Sequence, residues 1–157
     1  MRYFIIFTLN LFFISKCFSL EIESTNIYGK TNKEINLRIL SSTDIEVFSP
    51  ILNKFSQLNR NIAIEYLVAS TADIYDEIKN NRNSKFDLIV SSAMDLQIKL
   101  ANDGYAKSIQ ISNQETMPNW SLWQNKVIGF SLEPIVMVVS KKDVKNIPNT
   151  RSELIST

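Results

Sequence analysis

A chain of 157 residues, 45% hydrophobic and 21% charged, is sized and composed for one globular domain. Its net charge of +1 gives no overall pull toward nucleic acid or an anionic membrane, and with no histidine it lacks the commonest neutral-pH acid–base group and metal ligand. One cysteine, Cys17, excludes an internal disulfide or a thiolate metal cage, and only three glycines argue against Gly-rich phosphate loops and a turn-dense all-β fold.

The N-terminus reads as an export signal. Met1-Arg2 gives a short positive start, and Tyr3 to Ser15 is apolar apart from Thr8 and Asn10. That run is too short to cross a bilayer as a helix, which takes about 20 residues, but it suits the apolar segment of a signal peptide. Cleavage is expected after Ser19, giving a signal peptide over 1–19 and a mature chain without cysteine. The alternatives are an uncleaved anchor, or lipid attachment at Cys17, against which Lys16 stands where a small residue is wanted. Residues 20–34 are polar, with Gly29 the one conformational breaker, and read as a linker.

From Ile35 a strand–helix pattern occurs three times. Ile35–Leu40 alternates as a strand does, then Ser41-Ser42-Thr43-Asp44 leads into a helix with Ile45, Phe48, Leu52 and Phe55 on one face. Thr43 and Glu46 have capping-box spacing, making Thr43 the expected N-cap. Pro50 predicts a kink, or a regular helix starting near it. The second unit is Ile62–Val68, then Ala69-Ser70-Thr71 and a helix over 72–80, with Ser70 and Asp73 at N-cap spacing. The third is Phe86–Val90, a short apolar run typical of a buried parallel strand, then Ser91-Ser92 and a helix over 95–102 that Gly104 stops.

Strands alternating with helices predict a parallel sheet flanked by helices, with ligands at the carboxyl ends of the strands. Each strand end carries a hydroxyl cluster at a helix N-terminus, where unpaired amides and the helix dipole favour an anion. Ser and Thr are also the preferred N-caps of any helix, so capping alone explains one cluster. Three clusters at equivalent positions leave two readings side by side: plain capping of three helices, or a cradle for phosphate, sulfate or carboxylate.

LRILSSTDIEVFSPILNKFSQLN, ASTADIYDEI, FDLIVSSAMDLQIKLANDGYA and GFSLEPIVMVVSK together resemble bacterial extracellular solute-binding proteins of ABC transporters, of the iron(III)/phosphoglycerate type. The resemblance spans about residues 36–153. It implies a periplasmic-binding-protein-like fold in which two α/β lobes close on a solute and dock on a membrane permease. Residue by residue it implies ligand contacts at Ser42, Thr43, Ser70, Thr71, Ser91 and Ser92. Glu133 either joins them at the cleft or is a solvated carboxylate beside a turn. Trp120 and Trp123 either line the cleft mouth or pack as core beneath a loop.

Residues 35–130 are thus expected to form the first lobe, and 131–157 the crossover and the start of a second lobe. Val127–Phe130 and Ile135–Ser140 read as crossover strands, and Pro148–Leu154 as the entry to the next helix. Members of the family are longer, so most of the second lobe is expected to be missing. Clamshell closure would then fail and capture by this chain alone would be weak. The expected protein is a periplasmic monomer binding a small anionic solute, an organophosphate or carboxylate, for a permease. Iron(III) transport is one alternative, although the resemblance places a His among the iron ligands and this chain has none. Presentation of the solute to a membrane sensor kinase is another. Neither catalysis nor a cofactor is expected. There is no nucleophile elbow, P-loop or Gly-x-Gly-x-x-Gly, and Asp44, Asp87 and Asp95 sit in helix starts or an apolar strand. Nor is nucleic acid an expected partner, since the Lys and Arg residues form no stripe.

Overall fold

The computed structural model describes residues 20–155 apart from 31, 33, 82, 113, 135, 141, 144 and 145. The expected signal peptide, with Cys17, lies outside the described residues. Among those described, no helix is long and apolar enough to cross a membrane.

The architecture is mixed α/β, with a mostly parallel sheet flanked by helices. In chain order the elements are β1 (Ser24–Tyr28), β2 (Ile35–Ser41), α1 (Ile45–Leu58), β3 (Ile62–Val68), α2 (Thr71–Asn80), β4 (Leu88–Val90), α3 (Met94–Asn102), β5 (Leu122–Trp123), β6 (Val127–Ile128) and α4 (Arg151–Ile155). The main sheet has the order β1-β3-β2-β4. β2 runs parallel to both neighbours, with Ser41 level with Val68 on one side and Val90 on the other.

Alternation along the strands divides the core into two layers. Ile39, Ile64, Tyr66, Val68 and Val90 face Leu52 of α1, with Ile45 and Phe48 packed beside them. Leu40, Leu67 and Ala69 face the other way, onto Ile74 of α2, with Leu20, Ile22, Phe86 and Ile89 at the margin. α3 packs on α2. The helix after β2 and the helix after β3 therefore cover opposite faces of the sheet.

Four segments differ from the sequence reading, the first being Phe86–Val90, read as a buried parallel strand: it forms only the three-residue β4 at the edge of the sheet, with Leu88 exposed because no strand or helix covers it there. Within the stretch read as linker, Ser24–Tyr28 is an antiparallel edge strand on β3. It is polar because only Tyr28 is buried, the rest of β1 being exposed. Gly29 ends it at φ +84°, where a side chain would meet Ile62 O at 3.1 Å. The segment read as two crossover strands yields only β6, paired antiparallel with β5. Val136, Met137 and Val138 are exposed and in no strand, since a strand needs a partner edge for its backbone groups. α1 runs through Pro50, which lies on its exposed side, where the carbonyl that loses its helical donor is open to solvent. Its N-cap is Asp44 rather than Thr43.

The two layers make a direct prediction. Leu52 is 3% exposed and Ile74 1% exposed, so Leu52→Ala and Ile74→Ala should each cost about 2–4 kcal/mol in urea unfolding. Ile51→Ala, at a position 56% exposed, should change stability by less than about 0.5 kcal/mol.

Candidate functional site

The hydroxyl clusters sit side by side along one edge of the sheet, because β3, β2 and β4 are parallel and end level. Ser42 N–H donates to Val90 O at 3.0 Å, and Ala69 N–H to Ser41 O at 2.9 Å, so the ladder continues into the tips. Ser42 Oγ and Ser91 Oγ are 3.2 Å apart, bridging the ends of β2 and β4. Ser91 Oγ also accepts from Ala93 N–H at 3.2 Å. One proton suffices for the Ser42–Ser91 bond, which leaves the other hydroxyl proton of the pair for a guest.

Beneath this pair is a closed ring of three hydrogen bonds. Thr43 N–H donates to Ser41 Oγ at 2.9 Å. The Tyr66 hydroxyl lies 2.7 Å from Ser41 Oγ and 2.8 Å from Thr43 O. A phenol has one proton and a carbonyl only accepts, so Tyr66 donates to Thr43 O and receives the Ser41 proton. Ser41 and Tyr66 are both fully buried, and the Tyr66 ring stacks on Phe48 at 5.7 Å. Phe48 in turn meets Phe130 edge-on at 5.8 Å.

The third tip is differently engaged. Ser70 caps α2 as its spacing suggests, accepting from Asp73 N–H at 3.1 Å. Its own proton goes to Asp73 Oδ2 at 2.7 Å. Ser70 is thus occupied within the chain, while the hydroxyls of Thr43, Thr71 and the exposed Ser92 make no side-chain hydrogen bond among the described residues. Asp44, Asp73 and Asp95 stand at the starts of α1, α2 and α3. Each places a carboxylate where the helix dipole attracts negative charge.

Glu133 is exposed three residues beyond Phe130, and among the described residues no hydrogen bond links it to the hydroxyl row. Trp120 and Trp123 are exposed, at 53% and 43%, so they are not core. They belong to the β5–β6 hairpin, whose turn residues Gln124 and Asn125 both have positive φ. Trp120 lies across Gly129, where an added Cβ would sit 3.2 Å from its ring. A polar surface hollow on this hairpin is lined by Gln114, Met117, Pro118, Asn119, Leu122, Gln124 and Asn125, and shares no residue with the strand tips. Asp87 is structural: its carboxylate accepts from Arg38 N–H at 2.8 Å, and its own N–H donates back to Arg38 O at 2.9 Å.

The substrate-binding protein of an ABC transporter from Agrobacterium tumefaciens is similar to this chain, with 32% sequence identity and a TM-score of 0.62 over 68% of this chain and 33% of that one. The likeness supports the general family of ABC-transporter substrate-binding proteins. This chain spans about a third of that protein's length. No family model matches the chain, and no curated protein does. Tyr66 is the site residue that sequence reasoning passed over, and Ser41 was read only as a member of the first hydroxyl cluster. The signal was a tyrosine at a strand position otherwise held by aliphatics, whose buried hydroxyl requires a partner.

Tyr66 also predicts a pH dependence. Burial pushes its phenol above the ordinary value of 10.0, the Ser41 hydrogen bond pulls it partly back, and the Tyr28 and Asp44 charges add to the rise. The unfolded chain releases this proton first, so the contribution to stability is complete below pH 10.0 and lost as pH climbs through the folded value. Urea midpoints measured on either side of pH 10 should fall more steeply for the native sequence than for Tyr66→Phe. The same substitution should cost about 1–3 kcal/mol at neutral pH, since it leaves Thr43 O without its donor.

Proposed function

We propose that this chain is a solute-binding lobe of an ABC-type importer, working outside the inner membrane and delivering a small anion to a membrane permease. The observation that carries the reading is the Ser42–Ser91 hydroxyl pair, 3.2 Å apart across the tips of two adjacent parallel strands. β2 leads to α1 on one face of the sheet, and β4 leads to α3, packed with α2 of the other face. The two connections diverge there, and that divergence is where open α/β sheets take their ligands. The likeness to an ABC-transporter substrate-binding protein supports the same assignment.

The donors favour an anion of modest charge. The Ser42–Ser91 pair, Thr43 and Thr71 supply hydroxyls, and the first turn of α1 supplies unpaired amides. All are neutral, and Asp44, Asp73 and Asp95 oppose dense negative charge. A carboxylate, or a phosphate monoester in its singly charged form, fits this balance, and the likeness to an ABC-transporter substrate-binding protein supports the permease and periplasmic setting. A single lobe leaves such a guest open to water, so the affinity proposed for this chain is weak.

Titration of inorganic phosphate and of succinate into the chain, followed by amide chemical shifts, tests the reading. Shifts should concentrate at residues 42–46, 71–72 and 91–94. Ser42→Ala with Ser91→Ala should weaken binding by about fivefold or more, the equivalent of one neutral hydrogen bond of about 1 kcal/mol. Shifts gathered on the β5–β6 hairpin, or no response to either anion, would sink it.

A further inference from the structure

We infer that Tyr66 is a positioning residue for the proposed anion site, holding the loop from Ser42 to Asp44 in its binding geometry through the ring it forms with Ser41 and Thr43. The inference rests on the solute-binding reading above and adds what sets its geometry. Tyr66 does not touch the guest: it is fully buried in the sheet beneath the tips.

The ring does two things to the loop. First, it uses both backbone groups of Thr43, the N–H through Ser41 Oγ and the carbonyl through Tyr66. Thr43 is then tied at both ends of its peptide frame, and its side-chain hydroxyl is the part left for a guest. Second, it takes over the work a capping side chain normally does. Asp44, the N-cap of α1, makes no side-chain capping bond, so the entry to the helix is held from below by β3 rather than by its own cap. The phenol is itself fixed, since its ring stacks on Phe48 of that same helix. β3 thereby sets where the β2–α1 connection ends relative to Ser91 on β4.

Without the phenol hydroxyl the loop still connects the same elements, but Thr43 O loses its donor and Ser41 is free to turn. The donors at 42–46 then sample several arrangements, and ordering them on binding lowers affinity. A residue that only adds stability would leave the affinity of the folded molecules unchanged.

The test compares Kd for inorganic phosphate in the native sequence, Tyr66→Phe, Ser41→Ala, the double variant and Leu52→Ala, with amide spectra confirming that each is folded. Tyr66→Phe and Ser41→Ala should each weaken phosphate by roughly five- to tenfold. The double variant should lose little more than either single one, because the ring is one unit. Leu52→Ala keeps every ring hydroxyl and the Phe48 stack, so it should lower the urea midpoint yet leave Kd within about twofold. If phosphate binds all of these variants equally, the positioning role is wrong while the site stands. If neither phosphate nor succinate binds the native sequence, the site reading fails and this inference with it.

Discussion

Level parallel pairing is the constraint on which the strand-tip arrangement depends. Ser41 stands opposite both Val68 and Val90, and the chain leaves all three strands within a residue or two of that line. A shift of one residue in β4 would turn Val90 out of the core it shares with Val68 and Ile39. The same shift would part Ser91 from Ser42. Register is therefore enforced by apolar burial well below the site, and the hydroxyls inherit their spacing from it. Asp87 reinforces this at the other end of β4, exchanging hydrogen bonds with the Arg38 backbone where the strand is too short to hold itself.

Burial explains which parts of this were legible beforehand. β2, β3, α2 and α3 follow the apolar period closely because each buries a face: Ile39 with Leu40 on either side of β2, Ile74 on α2, Leu100 on α3. β1 was not legible. An edge strand paired on one side needs little apolar sequence, and Tyr28 alone anchors it. The run from Val136 to Val139 misled in the opposite direction. Its β-branched residues have strand propensity, but propensity does not form a ladder without an edge to pair with.

The candidate site was legible as a row of hydroxyls and illegible as a set of hydrogen bonds. Sequence spacing placed Ser70 correctly as a cap, and its bonds to Asp73 use its proton there. Thr43 had the same spacing and a different outcome. Tyr66 lies 23 residues away in the chain and captures the Thr43 carbonyl across the sheet, a contact no local pattern encodes. Ser41 looked like one more member of a Ser/Thr cluster. It is the one turned fully inward, as alternation from Leu37 and Ile39 requires.

Electrostatics then sets how such a site can work. Every helix beginning at the tips already has a carboxylate at its start, so much of the attraction a bare helix end offers an anion is spent within the chain. What remains is a set of neutral hydroxyls and amides. In open water each such bond replaces one to solvent and gains little. Their discrimination rises when water is excluded and a guest lacking the right acceptors leaves them unpaired. A rigid row of neutral donors on one α/β unit is therefore suited to selecting geometry, while tight retention calls for a second surface over the guest. The Agrobacterium protein, with two thirds of its length beyond the region matched here, has the material for such a surface.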